Sequence, residues 1–203
     1  MESQYKASSN GVIEHGITNG GEEKYVAVAN KRKMVGWSLF LRVAAVALGL
    51  AAAVVLGLDK QTTTVAMQLV PTLPPVNVPV TAEWHYLSAF VYFLAANAIA
   101  SAYGAISLLL ILANTRVANR KIDVIVVVLD LSTTALLFSS FGAAAAVGII
   151  GHEGNSHVQW RKVCNVFDKF CVQGAAAMLL SGGASLVFFL LVAISILNHH
   201  NKY

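Results

Sequence analysis

Two oppositely charged residues, Arg42 and Asp130, lie inside stretches that are otherwise apolar. A carboxylate in lipid costs roughly 2.5 to 3.5 kcal/mol even on lenient insertion scales, so an acid there needs a partner and a role. Arg42 follows the basic cluster at residues 31–33, and Asp130 lies seven residues after Asp123. If both helices enter the membrane from the same face, both charges lie at a depth of ~10 Å. We therefore predict an intramembrane ion pair between Arg42 and Asp130.

Two other interpretations of these charges stay open at this point. Arg42 could snorkel to the headgroups because its side chain is long, whereas the short Asp130 needs a donor. Intramembrane charges also mark transport pathways, so Arg42, Asp130 and Asn97 could line the path of a small transporter or channel. However, the acid has a base at matched depth, and no apolar stretch is interrupted by proline, as discontinuous transporter helices often are. No catalytic group or cofactor motif can be assembled from these residues, so we expect neither enzyme activity nor a cofactor.

Composition sets the class of protein. The chain is 57% hydrophobic and 12% charged, with a mean hydropathy of +0.66, far from the usage of soluble domains. Four apolar stretches are long enough to span a bilayer, at about residues 36–58, 85–113, 124–151 and 172–197. The sequence therefore predicts an all-α membrane protein, a four-transmembrane-helix bundle over residues 35–198. Short polar tails at residues 1–34, predicted to be disordered, and 199–203 flank it.

The distribution of lysine and arginine predicts the orientation of the bundle. With four spans, both tails share a side with the loop between the second and third spans. That side carries Lys6, Lys24, Lys31, Arg32, Lys33, Arg116, Arg120, Lys121 and Lys202, against Lys60, Arg161, Lys162 and Lys169 on the other. The positive-inside rule then places both termini in the cytoplasm. The net charge of +4 is mostly this topology signal, and we expect no nucleic-acid partner.

Small and polar residues in the spans indicate how the helices pack. Gly142 and Ala146 are four residues apart, which predicts a contact face either within the bundle or between subunits; Ala144 and Gly148 have the same spacing. Gly182 and Gly183 would permit close approach or a kink. Asn97 is expected to hydrogen-bond a neighbouring helix, an interaction of roughly 0.6 to 2 kcal/mol.

The two outer loops have different signatures. The first, residues 59–84, contains four prolines and is predicted to be extended and non-helical. The second carries the chain's only cysteines, Cys164 and Cys171, and an oxidising location favours a disulfide between them. On a continuous helix these residues would be ~10.5 Å apart, so a bridge requires the loop to fold back. Metal binding by these cysteines with His152 and His157 matches no familiar zinc spacing, and no metal site is predicted.

The ordered set of these features resembles a known family. Arg42, the segment YFLAANAIASAYGAISL, Asp130 and the segment AAAAVGIIGHEGNSHVQWRKVCNVFDKFC resemble the plant Casparian strip membrane domain protein-like (CASP-like) family, in its first subgroup, over residues 33–198. The resemblance implies a four-span plasma-membrane protein related to MARVEL domains, with the Arg of span one and the Asp of span three as hallmarks.

The same resemblance implies a function and partners. It implies a non-enzymatic scaffold that organises a membrane or cell-wall domain. It further implies homo- and hetero-oligomers with family members, as dimers or larger assemblies. The implied partners outside the family are membrane lipids and extracellular wall-modifying proteins.

Overall fold

The computed structural model describes residues 35–67, 74–113, 120–158 and 160–200. Within this part of the chain, four long helices follow one another: α1 (Val35–Gly57), α2 (Ser88–Ala113), α3 (Arg120–Glu153) and α4 (Asp168–His200). Each contains a stretch long and apolar enough to cross a membrane. The predicted four-span fold is therefore confirmed. The predicted N-terminal tail and residues 201–203 lie outside the described residues.

The helix ends differ from the predicted spans by up to one turn. α3 begins at Arg120 and ends at Glu153, and α4 begins at Asp168. Hydropathy alone stops a span at the first charged residues, although a helix can continue into the interface, where such side chains are solvated. α2 starts later than predicted, at Ser88, because Trp84–Tyr86 form a 3₁₀ turn.

Consecutive helices run antiparallel. Tyr103 of α2 contacts Asp130 of α3, and Tyr92 of α2 contacts Ser139 of α3, so residue numbers rise on one helix as they fall on the other. The same relation holds for α1 with α2 and for α3 with α4, through the close approaches of Arg42 to Ser107, Gly49 to Ser101, Phe141 to Gly182 and Gly148 to Met178. The short connection between α2 and α3 favours their antiparallel packing.

Two clusters of buried apolar side chains fill the interior. The hairpin-end cluster contains Ala52, Leu56, Phe90, Phe93, Ala144, Phe167, Phe170 and Ala177. The ion-pair-end cluster contains Leu41, Ala45, Ala100, Leu137, Ala184, Phe188 and Leu191. Other large apolar residues, such as Leu109, Leu179 and Phe189, are more than half exposed on the outside of the bundle. Lipid is as apolar as leucine, so this outer surface suits a bilayer.

A β-hairpin connects α1 to α2. Strands β1 (Lys60–Met67) and β2 (Val76–Glu83) pair antiparallel from Lys60 opposite Glu83 to Met67 opposite Val76. The predicted extended loop is thus a paired ribbon, because three threonines and one valine in β1 and alternate valines in β2 suit a pleated surface. Val80 and Ala82 pack against the hairpin-end cluster.

Gln61 ties this hairpin to the start of α4. Its side-chain Oε1 accepts a 2.8 Å hydrogen bond from the backbone N–H of Phe170, and its Nε2 donates to Asp168 Oδ1 at 3.2 Å. The first N–H groups of a helix have no partner within the helix. A residue of β1 therefore caps α4 and fixes the base of the hairpin on the bundle.

Candidate functional site

Arg42 and Asp130 meet inside the bundle. Arg42 Nη1 donates to Asp130 Oδ1 at 3.0 Å, and Nη2 donates to Oδ2 at 2.5 Å. This is a two-pronged guanidinium–carboxylate pair, the strongest common geometry for these groups. Both side chains are buried, with 2% and 0% of their surfaces exposed. The structure thus brings together, from α1 and α3, the two residues whose predicted depth matched.

Two hydroxyl groups of α2 complete the pair. Arg42 Nη1 also donates to Ser107 Oγ at 2.7 Å, and Ser107 Oγ donates onward to the carbonyl of Gly104 at 2.9 Å. The Tyr103 hydroxyl lies 2.8 Å from Asp130 Oδ1 and 3.1 Å from the carbonyl of Val126, and it can donate to either. Sequence reasoning missed Tyr103 and Ser107. Their four-residue spacing puts both on one face of α2, and a buried guanidinium needs more acceptors than one carboxylate supplies.

Glycines allow the helices to come close enough for these contacts. A Cβ added at Gly104 would lie 2.6 Å from Val46 Cγ2, and one added at Gly49 would lie 2.6 Å from Ser101 Oγ. Neither distance is compatible with a side chain in the present packing. α1 and α2 therefore approach through glycine at two levels, and this approach brings Arg42 within reach of Ser107.

Arg42, Asp130, Tyr103 and Ser107 form what we call the clamp, because their hydrogen bonds connect three helices. Arginine stays protonated in proteins, and both carboxylate oxygens accept hydrogen bonds from it, so the pair is internally neutral. A buried pair adds little net stability against apolar residues, but removing one partner leaves an uncompensated charge and costs roughly 3 to 5 kcal/mol. The third nitrogen of this guanidinium, Arg42 Nε, is buried and has no hydrogen-bond partner among the described residues. The arrangement holds three helices together through one set of charges.

Asn97 does not make the predicted contact with a neighbouring helix. It is completely buried, but its Nδ2 donates to the carbonyl of Phe93, one turn earlier in α2, at 2.9 Å. Its Oδ1 has no hydrogen-bond partner among the described residues. The prediction was wrong because the carbonyl four residues earlier can be reached by the side-chain amide and competes with a neighbouring helix for it.

The remaining packing residues divide into two groups. Gly148 faces Met178, Gly182 faces Phe141 and Gly183 faces Leu48, all from neighbouring helices of the bundle. Gly142 and Ala146, in contrast, are exposed on α3, and a Cβ at Gly142 would meet nothing within 4 Å. Of the two alternatives for the face of Gly142 and Ala146, contact within the bundle is therefore excluded.

The two cysteines form the expected bridge. Cys164 and Cys171 are joined by a disulfide with a Cα–Cα distance of 5.6 Å. The chain folds back just before α4, where Val163 N–H donates to the carbonyl of Gly151 at 2.8 Å and Phe167 N–H donates to the carbonyl of Val163 at 3.0 Å. The bridge links this turn to the first helical turns of α4. Both sulfurs are used, so neither cysteine is available as a thiolate ligand for a metal.

Asp59 is a buried acid that sequence reasoning did not single out. It follows the last turn of α1, is 1% exposed, and neither carboxylate oxygen has a hydrogen-bond partner within the described part of the chain. Burial raises the pKa of Asp59 to about 6, and the positive charge of Lys169 partly opposes this rise. The residue lines a cavity of about 280 Å³ together with Gly57, Leu58, Lys60, Glu83 and Trp84. The negative end of the α1 dipole further disfavours its ionised form.

Comparison with known proteins places the chain in a family. A profile of the Casparian strip membrane protein domain matches residues 31–187. The chain belongs to the CASP-like family. It is 54% identical over 186 residues to CASP-like protein 1E2 of Vitis vinifera, covering 90% of this chain and 95% of the relative. It is 49% identical over 202 residues to CASP-like protein 1E1 of Populus trichocarpa, covering 100% and 99%. No solved structure matches the chain.

The matched region contains the whole of the clamp and the bridged turn. Arg42, Asp130 and both cysteines fall within residues 31–187. The relatives named above belong to the first subgroup of CASP-like proteins, as the resemblance implied. Membership in this family makes the protein a multi-pass membrane protein.

Proposed function

We propose that this protein is a non-enzymatic scaffold of the plasma membrane that oligomerises and organises a membrane or cell-wall domain. Its termini face the cytoplasm, as the distribution of lysine and arginine indicates. The hairpin and the bridged turn before α4 then face outward, where they are presented to extracellular wall-modifying proteins. The name of the matched family, the Casparian strip membrane protein domain, supports a role at a membrane domain.

The observation that carries this proposal is the closed ion pair. A transport path needs polar groups that water or a substrate can reach, whereas Arg42, Asp130 and Asn97 are all buried. The two charges satisfy each other, and hydroxyls of α2 occupy positions around them. The polar interior therefore supports a structural role, and it favours the scaffold over the transporter.

The outward surface of α3 supports oligomerisation. Five exposed small residues recur three and four positions apart along this helix; we call them the α3 small-residue face: Ser132, Ala135, Ser139, Gly142 and Ala146. In lipid, small residues let the backbones of two helices approach closely, and packing of this kind drives association. A second family member is the partner that this face suits.

A matched pair of substitutions tests the contribution of this face. Ala146→Leu places a bulky side chain on the α3 small-residue face, while Ala176→Leu adds the same side chain at an exposed position of α4. We expect the first variant to reduce the size of the assembly in nanodiscs and the second to leave it unchanged. Equal behaviour of the two variants would remove this face from the interface.

The function itself is tested by mobility and flux. A scaffold should recover slowly after photobleaching in plant plasma membrane, and liposomes containing the protein should show no ion flux above that of empty liposomes. Freely diffusing monomers together with ion flux that Asp130→Asn alters would instead establish the transporter.

A further inference from the structure

The hairpin has two free edges, and they are chemically different. In an antiparallel ladder, the residue pairs alternate between those that exchange backbone hydrogen bonds and those whose N–H and C=O groups point away from the partner strand. Thr64 lies opposite Pro79. Proline has no N–H to donate, so this pair belongs to the second, non-hydrogen-bonded type.

Side-chain contacts agree with this assignment. Residues in non-hydrogen-bonded pairs lie closer together, so their side chains meet more readily. Thr62 and Thr81, two positions along from Thr64 and Pro79, have hydroxyls 3.0 Å apart. Two positions further, Lys60 Nζ lies 2.6 Å from Glu83 Oε1. The N–H and C=O groups of Thr62, Thr64 and Ala66 therefore point to the outer edge of β1.

The outer edge of β2 is blocked, whereas that of β1 is complete. Pro79 removes the N–H in the middle of the β2 edge, one of the devices by which proteins prevent strand pairing. β1 contains no proline, and after Lys60 it carries no charge, with the sequence QTTTVAM. The side chains of Thr62, Thr64 and Ala66 are exposed, and within the described chain no hydrogen bond engages their outward backbone groups.

We propose that β1 pairs with β1 of a second copy of this chain, so that two hairpins form one four-stranded sheet on the outer face of the membrane. An unpaired strand edge is a template for a further strand, and two copies of this chain present the same complete edge of N–H and C=O groups to each other. The inference rests on the proposed oligomerisation and names an outer contact for it.

Charge decides that the two strands run antiparallel. In a parallel in-register pair the two Lys60 ammonium groups would lie side by side, and like charges in neighbouring strands are destabilising. An antiparallel pair centred on Thr64 puts the two Lys60 residues at opposite ends. In that register Thr64 lies opposite Thr64 of the second copy, and Thr62 lies opposite Ala66 of the second copy.

Cysteine cross-linking in membranes tests the register. Both native cysteines are in the disulfide, so one introduced cysteine is the only free thiol. Under mild oxidation, we expect Thr64→Cys to give disulfide-linked dimers and the exposed β2 variant Asn77→Cys to give few. Co-expressed Thr62→Cys and Ala66→Cys chains should cross-link to each other more than either does to itself. Equal yields from Thr64→Cys and Asn77→Cys would overturn the proposal.

A proline substitution tests the backbone contact itself. Thr64→Pro deletes an outward N–H that the hairpin does not use, so the hairpin should persist, while Thr64→Val changes the side chain and keeps the N–H. We expect Thr64→Pro to lower cross-linking between Thr62→Cys and Ala66→Cys chains on the order of tenfold, because both hydrogen bonds at the centre of the pairing are lost. Thr64→Val should have little effect. Equal cross-linking in the Thr64→Pro and Thr64→Val chains would contradict strand pairing. An unchanged thermal midpoint shows that both variants are folded.

The outcomes separate this inference from the proposed function. An assembly that keeps its size in nanodiscs but shows no preferential cross-link at Thr64 retains the scaffold and excludes the strand contact. A monomer in nanodiscs with no cross-link contradicts both. A cross-linked species heavier than one chain but not a multiple of its 21.5 kDa mass would indicate a different extracellular protein on this edge and would overturn pairing between copies.

Discussion

At the scale of residues, Arg42 and Asp130 constrain which helices of the bundle are neighbours. Either charge alone would be costly to bury at this depth. The two hydrogen bonds between the guanidinium and the carboxylate join the charges into a pair with no net charge. Tyr103 and Ser107 add hydrogen bonds from a third helix. The pair therefore specifies which helices are neighbours more than it adds to the free energy of unfolding.

Breaking the pair from either side should be costly. We expect Asp130→Asn or Arg42→Gln to destabilise the bundle by roughly 3 to 5 kcal/mol, because each leaves one buried charge without its partner. The exchange variant Arg42→Asp with Asp130→Arg should recover part of this loss. The measurement is thermal unfolding in detergent together with the yield at the plasma membrane. If the exchange variant is no more stable than either single variant, the two residues are not energetically coupled.

Asp59 should make stability depend on pH. Its pKa is raised in the folded state from 3.8 to about 6 by burial, so the folded protein binds this proton more tightly than the unfolded chain. This tighter proton binding adds to the free energy of unfolding. The addition is complete below pH 3.8 and is lost as the pH rises through about 6. We expect Asp59→Asn to be more stable than the parent at pH 7, with the difference disappearing at low pH. Thermal unfolding midpoints of the parent and of Asp59→Asn, measured from low pH to pH 7, check this expected difference.

Glu83 provides the control with the opposite sign. The hydrogen bond from Lys60 lowers the pKa of Glu83, so its contribution is present at neutral pH and is lost as the pH falls. Glu83→Gln should therefore lose stability at pH 7 relative to the parent, and the difference should shrink in acid. If the stability of Asp59→Asn and of Glu83→Gln relative to the parent changed with pH in the same direction, the raised pKa of Asp59 would be contradicted.

At the scale of elements, the contact between α1 and α2 depends on glycine where the helices are closest. Val46 is β-branched and stiff, and Phe188 Cζ would also lie 3.4 Å from a Cβ added at Gly104. Neither neighbour can move away easily. Gly142 of α3, in contrast, faces open space, so the spacing of small residues alone does not reveal which glycines are needed.

Two glycine substitutions separate these cases. Gly104→Ala should destabilise by about 1 to 3 kcal/mol, because the new methyl group lies 2.6 Å from Val46 Cγ2. Gly142→Ala adds the same methyl group where nothing lies within 4 Å, and the higher helix propensity of alanine should leave it neutral or slightly stabilising. Thermal unfolding in detergent distinguishes them. Similar losses for both variants would mean that α1 and α2 do not pack through Gly104.

At the scale of the whole molecule, orientation is the property on which the proposed function depends. Nine of the lysines and arginines lie on the predicted cytoplasmic side and four on the other, with Arg42 inside the first span. We expect epitope tags at both termini to be labelled only after permeabilisation, and a tag between Pro71 and Pro74 to be labelled on intact cells. Termini on opposite sides would contradict the four-span topology.

The sequence by itself determined the number of spans, the family, the candidate partners Arg42 and Asp130, and the candidate disulfide. The spans and the depth match follow from transfer free energies along the chain, the disulfide follows from the outer location of its two cysteines, and the family follows from the ordered set of residues. None of these depends on how the helices rotate. Only the tertiary structure decided that Gly142 points outward while Gly148 points inward, and that Asn97 bonds its own helix. The register of β1 and β2 and the burial of Asp59 were likewise beyond reach of the sequence. Rotation about a helix axis, and pairing between distant strands, are set by packing among the elements, and packing is a property of the whole bundle.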